Sequence, residues 1–210
     1  MGRLFGTDGV RGIAGQDMTC ELAMDLGRAA ATVLTYGRRR RPLVVLGKDT
    51  RISSDMLGAA LAAGLCSVGA DVIDLGVVPT PAVAYLVMKY KADAGVMISA
   101  SHNPYPFNGI KIFGGEGFKL PDELEDQIER LIGQGRWRLA TGDALGQITH
   151  CATAVRDYVE HLKSTIPTSL DGLRIAVDCA NGSASATAPA LFAELGADAV
   201  IFSAAPDGVN

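Results

Sequence analysis

The sequence predicts an α/β protein made of three-layer α/β/α domains, each with a mixed, largely parallel sheet, arranged as a tandem repeat. Short apolar runs typical of buried strands alternate with segments in which apolar residues recur at helical spacing. The tripeptide Gly-Ala-Asp also recurs between a helix and a strand, at Gly69 to Asp71 and at Gly196 to Asp198. We interpret it as a weak internal duplication, with chance recurrence of a common helix stop as the alternative.

Each predicted element has a local signal. Thr19 can cap the first helix, Pro79 and Pro81 lie where a later helix can begin, and Pro121 opens a charged amphipathic helix. The predicted helices are Thr19 to Tyr36, Ser53 or Ser54 to Val68, Ala82 to Tyr90, Pro121 to Ile132, Thr153 to Ile166 and Ser185 to Leu195. The predicted strands are Leu43 to Leu46, Asp71 to Leu75, Ala94 to Ala100, Gly109 to Phe113, Leu173 to Val177 and Ala199 to Phe202.

The Gly-rich polar stretch from Gly133 to Gln147 predicts a linker between two domains. We therefore expect a complete first domain at residues 1–147 and the start of a second at residues 148–210. Asn210 follows soon after the last predicted strand, which leaves that strand with an open edge. On this pattern the sequence is expected to be truncated within its second unit.

Composition restricts the classes of partner. A formal net charge of −4 gives no broad attraction to nucleic acid or to an anionic membrane, so an anion site must be local. No apolar run is long enough to span a bilayer, and the N-terminus has no signal-peptide pattern. The 4 cysteines are widely spaced and form no CxxC pair, which is typical of reduced thiols. We expect a cytoplasmic protein with neither a nucleic-acid nor a membrane partner.

The strongest chemical signal is the loop that follows the apolar run from Ala94 to Ala100. Ser101 places a hydroxyl at the end of a buried strand, where open α/β sheets bind ligands. His102 and Asn103 add polar groups, and Pro104 restricts the loop backbone. The alternative is an ordinary loop serine that shapes a turn.

A lysine on the next predicted strand adds a cation near this loop. Alternation along GIKIF, from Gly109 to Phe113, puts Lys111 on the face opposite Ile110 and Ile112. A hydroxyl nucleophile near a point charge and hydrogen-bond donors suits phosphoryl chemistry. The alternative is that Lys111 is a solvent-exposed strand lysine with no catalytic role.

The sequence contains neither GxSxG nor GxGxxG nor a P-loop pattern. The absence of these motifs disfavours a serine hydrolase of the α/β-hydrolase type, a dinucleotide-binding protein and a P-loop nucleotide-binding protein.

Three segments in this order resemble the α-D-phosphohexomutase superfamily: FGTDGVRG at Phe5 to Gly12, SHNP at Ser101 to Pro104, and NGIKIF at Asn108 to Phe113. Together with GKDTR at Gly47 to Arg51, the first segment is most similar to the bacterial phosphoglucosamine mutases within it. The family has four domains, and the resemblance covers the first and the start of the second. The family's sugar-selecting loop of the third domain and phosphate loop of the fourth have no counterpart in this sequence.

The resemblance implies an isomerisation in which phosphorylated Ser101 donates its phosphoryl group to the C1 oxygen of a hexosamine 6-phosphate. The bound hexosamine 1,6-bisphosphate then returns its other phosphate to Ser101 and leaves the sugar 1-phosphate, a precursor for amino-sugar nucleotides and the cell wall. The resemblance also implies Mg²⁺ as cofactor, held by Ser101 and by aspartates of a loop that this sequence lacks. A homodimer is one possible assembly.

The resemblance implies catalytic roles for Ser101, His102, Lys111 and Arg11. His102 could orient phosphate or relay a proton, with a hydrogen-bonded structural histidine as the alternative. The residues expected to bind phosphate or substrate are Thr7, Asp8, Gly9 and Asn103, with Asp8 orienting Arg11 and Asn103 also shaping the loop. Lys48, Asp49 and Arg51 are interpreted mainly as a structural ion-pair and capping group.

Two other functions remain open at this point. A phosphomannomutase or phosphoglucomutase would use the same mechanism on a different sugar. A catalytically inactive sugar-phosphate-binding fragment would explain the missing metal loop.

Overall fold

The computed structural model describes residues 4–6, 9–34 and 40–210. Within them, the six predicted helices and six predicted strands occur in the predicted order, together with two short strands that were not predicted. The helices are α1 (Cys20–Leu34), α2 (Ile52–Ser67), α3 (Thr80–Lys89), α4 (Asp122–Gln134), α5 (Ala154–Ser164) and α6 (Ala188–Glu194). The strands are β1 (Val10–Ile13), β2 (Leu43–Lys48), β3 (Asp71–Val77), β4 (Ala94–Ile98), β5 (Phe107–Gly114), β6 (Ile148–His150), β7 (Arg174–Asp178) and β8 (Asp198–Phe202).

The first sheet has six strands in the order β1-β5-β4-β2-β3-β6. Strands β4, β2, β3 and β6 are parallel neighbours, whereas β5 is antiparallel to both β4 and β1. The connection from β4 to β5 is too short for a crossover helix, so these strands pair antiparallel. The predicted mixed, largely parallel sheet is therefore confirmed.

Helices cover both faces of this sheet and complete the predicted three layers. Helices α1, α2 and α4 share one apolar cluster with alternate strand residues such as Val44 and Ile98. Helices α3 and α5 share a second cluster with residues that point the other way, such as Val45 and Met97. Because neighbouring residues of a strand face opposite sides, each central strand contributes to both clusters.

Local capping signals had mixed outcomes. The hydroxyl of Thr19 accepts a hydrogen bond from the Leu22 N–H at 3.2 Å, as predicted for the start of α1. The predicted cap of α2 by Ser53 or Ser54 is wrong: Arg51 is the N-cap residue and makes no side-chain cap bond. Both serine hydroxyls instead bond the side chain of Asn108 on β5.

The segment predicted as a linker lies against the first unit. The N–H groups of Ala140 and Gly146 donate to carbonyl oxygens of Ser67 and Cys66 at the end of α2. Strand β6 then pairs with β3, and α5 packs on α3. The domain division at residues 147 and 148 stays a prediction, and these contacts favour a boundary between α5 and β7.

The second unit repeats the local geometry of the first. Strands β7 and β8 pair in parallel and α6 lies between them in sequence, as α2 does between β2 and β3. Gly69 and Gly196 both have positive φ, +92° and +82°, where the helix gives way to the strand. Asp71 and Asp198 are the first residues of β3 and β8. The tandem repeat inferred from Gly-Ala-Asp is thus present in the backbone.

In the described part of the chain, none of the helices has the length and apolar character needed to cross a membrane. All four cysteines lie in that part, and none forms a disulfide.

Candidate active site

Ser101 lies in a tight turn just beyond β4, in an unusual backbone conformation. Its φ is +58°, in the left-handed region that residues with a side chain rarely adopt. Such a conformation costs about 1–3 kcal/mol and persists only where the surroundings hold it. The Ser101 N–H donates to the Ser99 hydroxyl at 3.0 Å, and its carbonyl accepts from the Arg51 guanidinium at 2.9 Å. Both backbone polar groups of the candidate nucleophile are therefore anchored.

Arg51 organises the whole loop from residue 101 to residue 107. Its Nη2 donates to the carbonyls of Ser101 and Asn103 at 2.9 and 2.8 Å. Its Nη1 donates to those of Pro104 and Phe107 at 2.7 and 3.1 Å. Its Nε donates to an oxygen of the Asp49 carboxylate at 2.9 Å. Every N–H of the guanidinium thus has an acceptor, and the loop curls around a side chain that is only 9% exposed.

The Asp49 carboxylate links this guanidinium to α2 and β5. One of its oxygens accepts from the Arg51 N–H at 3.1 Å and from the Ser54 hydroxyl at 2.7 Å. The Ser54 hydroxyl also accepts from the Asn108 amide at 3.0 Å, and that amide's oxygen accepts from the Gly109 N–H. Lys48 pairs separately with Asp55 at 2.6 Å. The predicted structural ion-pair group at Lys48, Asp49 and Arg51 is thus present.

The loop opens onto a cavity of about 750 Å³ between the two units. Ser101 and His102 are exposed to it, and the Ser101 Oγ lies 3.4 Å from the His102 Nδ1. On the first unit the lining residues are Asp49, Thr50, Arg51, Thr80, Ser99, Ser101, His102, Asn103, Pro104 and Tyr105. On the second they are Ala180 to Ser183 and Gly208 to Asn210. Helices α2 and α3 begin beside this cavity, an arrangement that favours an anion there.

Arg11 and Lys111 lie on neighbouring strands rather than in the cavity lining. Arg11 on β1 is opposite Gly109 on β5, whose carbonyl accepts from the Ser99 N–H at 2.9 Å. Lys111 is opposite Met97 on β4, so it lies on the α3 face, away from the buried Ile110 and Ile112. The predicted alternation of β5 is confirmed. The phosphate roles of the two cations stay predictions.

Gly9 has a structural requirement of its own. Its φ is +90°, and a Cβ at this position would collide with the carbonyl oxygen of Ile110 on β5. Close packing of β1 on β5 is therefore sufficient to explain a glycine here. Its predicted phosphate contact is untested, and Thr7 and Asp8 lie outside the described residues.

Sequence reasoning did not anticipate the contribution of the second unit to the cavity. The Thr50 hydroxyl donates to the carbonyl of Asn181 at 2.7 Å, across the two units. Ala180 and Asn181 both have positive φ, 49° and 47°. The Ala-Asn-Gly sequence after β7 is a turn signal that could have identified this loop.

The described residues do not form a metal site by themselves. No cluster of three or more His, Cys, Asp or Glu side chains occurs among them. Mg²⁺ takes oxygen ligands, usually carboxylates and substrate phosphates together with water. Asp49, the one acidic side chain among the described cavity-lining residues, is already hydrogen-bonded to Arg51 and Ser54. This part of the chain could offer the oxygen of Ser101 but lacks a full ligand set.

Comparison with known proteins decides the family. A family model described as phosphoglucomutase/phosphomannomutase, alpha/beta/alpha domain I, matches residues 2–138. The chain belongs to this family. The phosphoglucosamine mutase of Caldanaerobacter subterraneus subsp. tengcongensis is 59% identical over 205 residues, which is 97% of this chain and 46% of that protein. The phosphoglucosamine mutase of Clostridium novyi is 57% identical over 212 residues, 100% of this chain and 47% of that protein. The chain spans about half the length of the curated relatives it matches.

Solved structures agree with the fold. A phosphoglucomutase/phosphomannomutase family protein from Burkholderia thailandensis superposes with a TM-score of 0.83 at 27% identity, over 98% of this chain and 45% of that one. A protein described as a putative phosphomannomutase, from Thermus thermophilus, gives 0.82 at 28% identity, over 98% and 46%. The repeated α/β units are therefore those of this family.

Proposed function

We propose that this chain is the phosphoryl-carrying part of a phosphoglucosamine mutase. The relatives with that name are 55–59% identical to it over nearly all its length. The observation that carries the proposal is the hydroxyl of Ser101, which lies at the edge of the cavity in an anchored, strained turn.

The proposed reaction has two phosphoryl transfers. In the first, the P–O bond to Ser101 breaks and a bond forms to the C1 oxygen of glucosamine 6-phosphate, whose proton leaves to a base. The resulting 1,6-bisphosphate reorients, and its 6-phosphoryl group moves back to Ser101 while the C6 oxygen regains a proton. The product is glucosamine 1-phosphate, and the enzyme is again phosphorylated.

The negative charge of phosphorylated Ser101 determines which positively charged groups and hydrogen-bond donors the site must supply. A phosphoserine carries about −1.5 to −2 charges near neutral pH. The N-termini of α2 and α3 and the donors around the cavity stabilise that charge, and we assign Lys111 and Arg11 the same task from the β5 side. His102 is within reach of the Ser101 oxygen and is our candidate for moving a proton or orienting phosphate. Asn103, with Thr7, Asp8 and Gly9, is assigned to phosphate or substrate binding.

Mg²⁺ is a cofactor in this family. We propose that it serves here too and that the phosphorylated Ser101 supplies one ligand. When bound, the ion would neutralise phosphate charge. Its remaining ligands are not found in this part of the chain.

We also propose a cytoplasmic location, in keeping with four thiols that form no disulfide.

The test joins residues 1–210 of this chain to the remaining half of the Caldanaerobacter relative and measures interconversion of the two glucosamine phosphates. Turnover with phosphorylated Ser101 in intact-protein mass spectra supports the proposal. Ser101→Ala is expected to abolish turnover and phosphorylation, while Ser164→Ala, an exposed serine on α5, is expected to change neither. Near-normal activity of Ser101→Ala would reject the proposal.

The same protein distinguishes the two alternative functions. Specificity constants are measured for glucosamine, mannose and glucose phosphates. A higher value for mannose or glucose phosphate than for glucosamine phosphate would favour a phosphomannomutase or a phosphoglucomutase. Sugar-phosphate binding by residues 1–210 with no phosphorylation of Ser101 under any condition would favour the non-catalytic fragment.

A further inference from the structure

We infer that Arg51 is a positioning residue for the nucleophile, acting on Ser101 through the loop backbone rather than on the substrate. The inference rests on the proposed function, because it assumes that Ser101 carries the phosphoryl group. It assigns a task to a buried guanidinium that the reaction described above does not use.

The first argument is geometric. The carbonyls of Ser101, Asn103, Pro104 and Phe107 all point at one guanidinium, at distances between 2.7 and 3.1 Å. The planar fork of arginine presents its donors in fixed directions, whereas lysine offers a compact charge on a flexible stem. These four carbonyls therefore require an arginine, and a lysine cannot reproduce their arrangement.

The second argument concerns strain. Ser101 is held at a φ of +58° by bonds at both its N–H and its carbonyl, and Arg51 provides the second of these. Without that bond, the residue would relax toward an unstrained backbone conformation. Because the Cβ position follows the backbone, relaxation moves the hydroxyl relative to the cavity.

The third argument is that the guanidinium is itself fixed. Asp49 binds its Nε at 2.9 Å, and the Asp49 carboxylate is oriented by Ser54 at 2.7 Å. Ser54 is only 1% exposed and also contacts Asn108 on β5. The turn after β2 thus joins α2 and β5 in defining the position of Arg51, and Arg51 transmits this position to the loop.

The kinetic test uses the fused, full-length enzyme. Arg51→Lys is expected to lower kcat about 100-fold and to leave KM nearly unchanged, because misplacement of a reacting group affects the transition state more than binding. Arg28→Lys is the matched control, since Arg28 also pairs with a carboxylate and a serine hydroxyl but lies on α1. An Arg51→Lys enzyme with the kcat of the control would overturn the inference.

Chemical rescue separates positioning from a general structural role. Arg51→Ala leaves a space shaped for a guanidinium, so added guanidinium ion at non-denaturing concentration is expected to raise kcat about tenfold. Ethylammonium carries the same charge but lacks the planar arrangement of N–H donors, so it is expected to give no rescue. Equal rescue by both ions, or by neither, would count against the inference.

A structural readout keeps the inference distinguishable from the proposed function. In the 210-residue chain itself, amides of residues 101–107 are expected to exchange hydrogen about tenfold faster in Arg51→Lys than in Arg28→Lys. Asp49→Asn retains the four carbonyl contacts but loses the carboxylate, and a smaller change in the same direction is expected. If Ser101→Ala kept activity while these exchange changes occurred, the proposed function would fail and the positioning of the loop would stand. Unchanged exchange in both variants would refute the positioning role.

Discussion

The β2–β3 pair and the β7–β8 pair have the same local construction but different burial. In each, the first residue of the second strand donates its N–H to the residue just before the first strand: Asp71 to Pro42, and Asp198 to Leu173. Four of the six residues of β2 are buried, whereas β7 and β8 contain none that is buried. Local signals therefore set the turn and the register, and the surrounding layers decide whether a strand becomes core.

The largest expected effect tests this difference in burial directly. Ile98→Ala on β4 removes a side chain that is 0% exposed and should lower the free energy of unfolding by about 2–5 kcal/mol. Ile201→Ala on β8 makes the same chemical change at a partly exposed position and should cost about 1 kcal/mol or less.

Urea denaturation followed by fluorescence of Trp137 measures both variants. Trp137, the only tryptophan, packs on the first apolar cluster, with the Arg28 guanidinium 5.9 Å from its ring centre. Equal shifts in the two variants would contradict the expected difference in burial between β4 and β8.

An intermediate effect is expected from the hydrogen bond that joins the two units. Thr50→Val removes the donor to the Asn181 carbonyl, a loss of about 0.5–1.5 kcal/mol. Amides of β7 and β8 should then exchange faster, while the Trp137 transition changes little. Thr165→Val, whose hydroxyl bonds locally to Leu162, is the control and should leave that exchange unchanged. Unchanged exchange in Thr50→Val would show that this bond does not hold the second unit.

The smallest effect is a pH dependence of the α3–α5 contact. Hydrogen bonds from Lys89 at 2.8 Å and Tyr90 at 2.6 Å lower the pKa of Asp157 on α5. Because the folded pKa lies below the unfolded value of about 3.9, this carboxylate stabilises the fold above that pH. The stabilisation is lost as the pH falls through the folded pKa.

The measurement compares the wild type with Asp157→Asn. The difference in unfolding free energy should be present near neutral pH and should shrink as the pH falls below the unfolded value of about 3.9. Asp178→Asn on β7 is the control. The pKa of Asp178 is also lowered, by hydrogen bonds from the Ala180 N–H and the Ser203 side chain, but the Trp137 transition should be insensitive to it. If the difference in unfolding free energy between the wild type and Asp157→Asn stayed constant with pH, the proposed role of Asp157 in the α3–α5 contact would be contradicted.

Predictions were confirmed where they depended only on local signals, such as a capping residue, a turn residue or the alternation of a strand. Thr19 caps α1, and Asp71 opens β3 as predicted, whereas β8 begins at Asp198, one residue before the predicted start at Ala199. Lys111 lies opposite to Ile110 and Ile112 because strand alternation is a local property. The position of Ser101 beyond the buried β4 strand was also predictable, and so was the Asp49–Arg51 ion pair.

Other features depended on partners distant in sequence. Strand β1 is only 4 residues long and contains Gly12, so only its pairing with β5 identifies it as a strand. Ser54 had the residue type of a helix cap, but the carboxylate of Asp49 and the amide of Asn108 compete for its hydroxyl. Residues 133–147 have the composition of a linker, and their hydrogen bonds to the end of α2 come from tertiary packing.

The sequence by itself determined the order of elements, the repeat and the place of the candidate nucleophile, because periodicity, turn residues and strand ends are encoded within a few neighbouring residues. Only the tertiary structure decided which strands become core, that the second unit lines the cavity, and that Arg51 binds four carbonyls of the Ser101 loop. Those features join residues about 50 positions or more apart, and burial and hydrogen-bond direction between such residues arise only when the layers assemble.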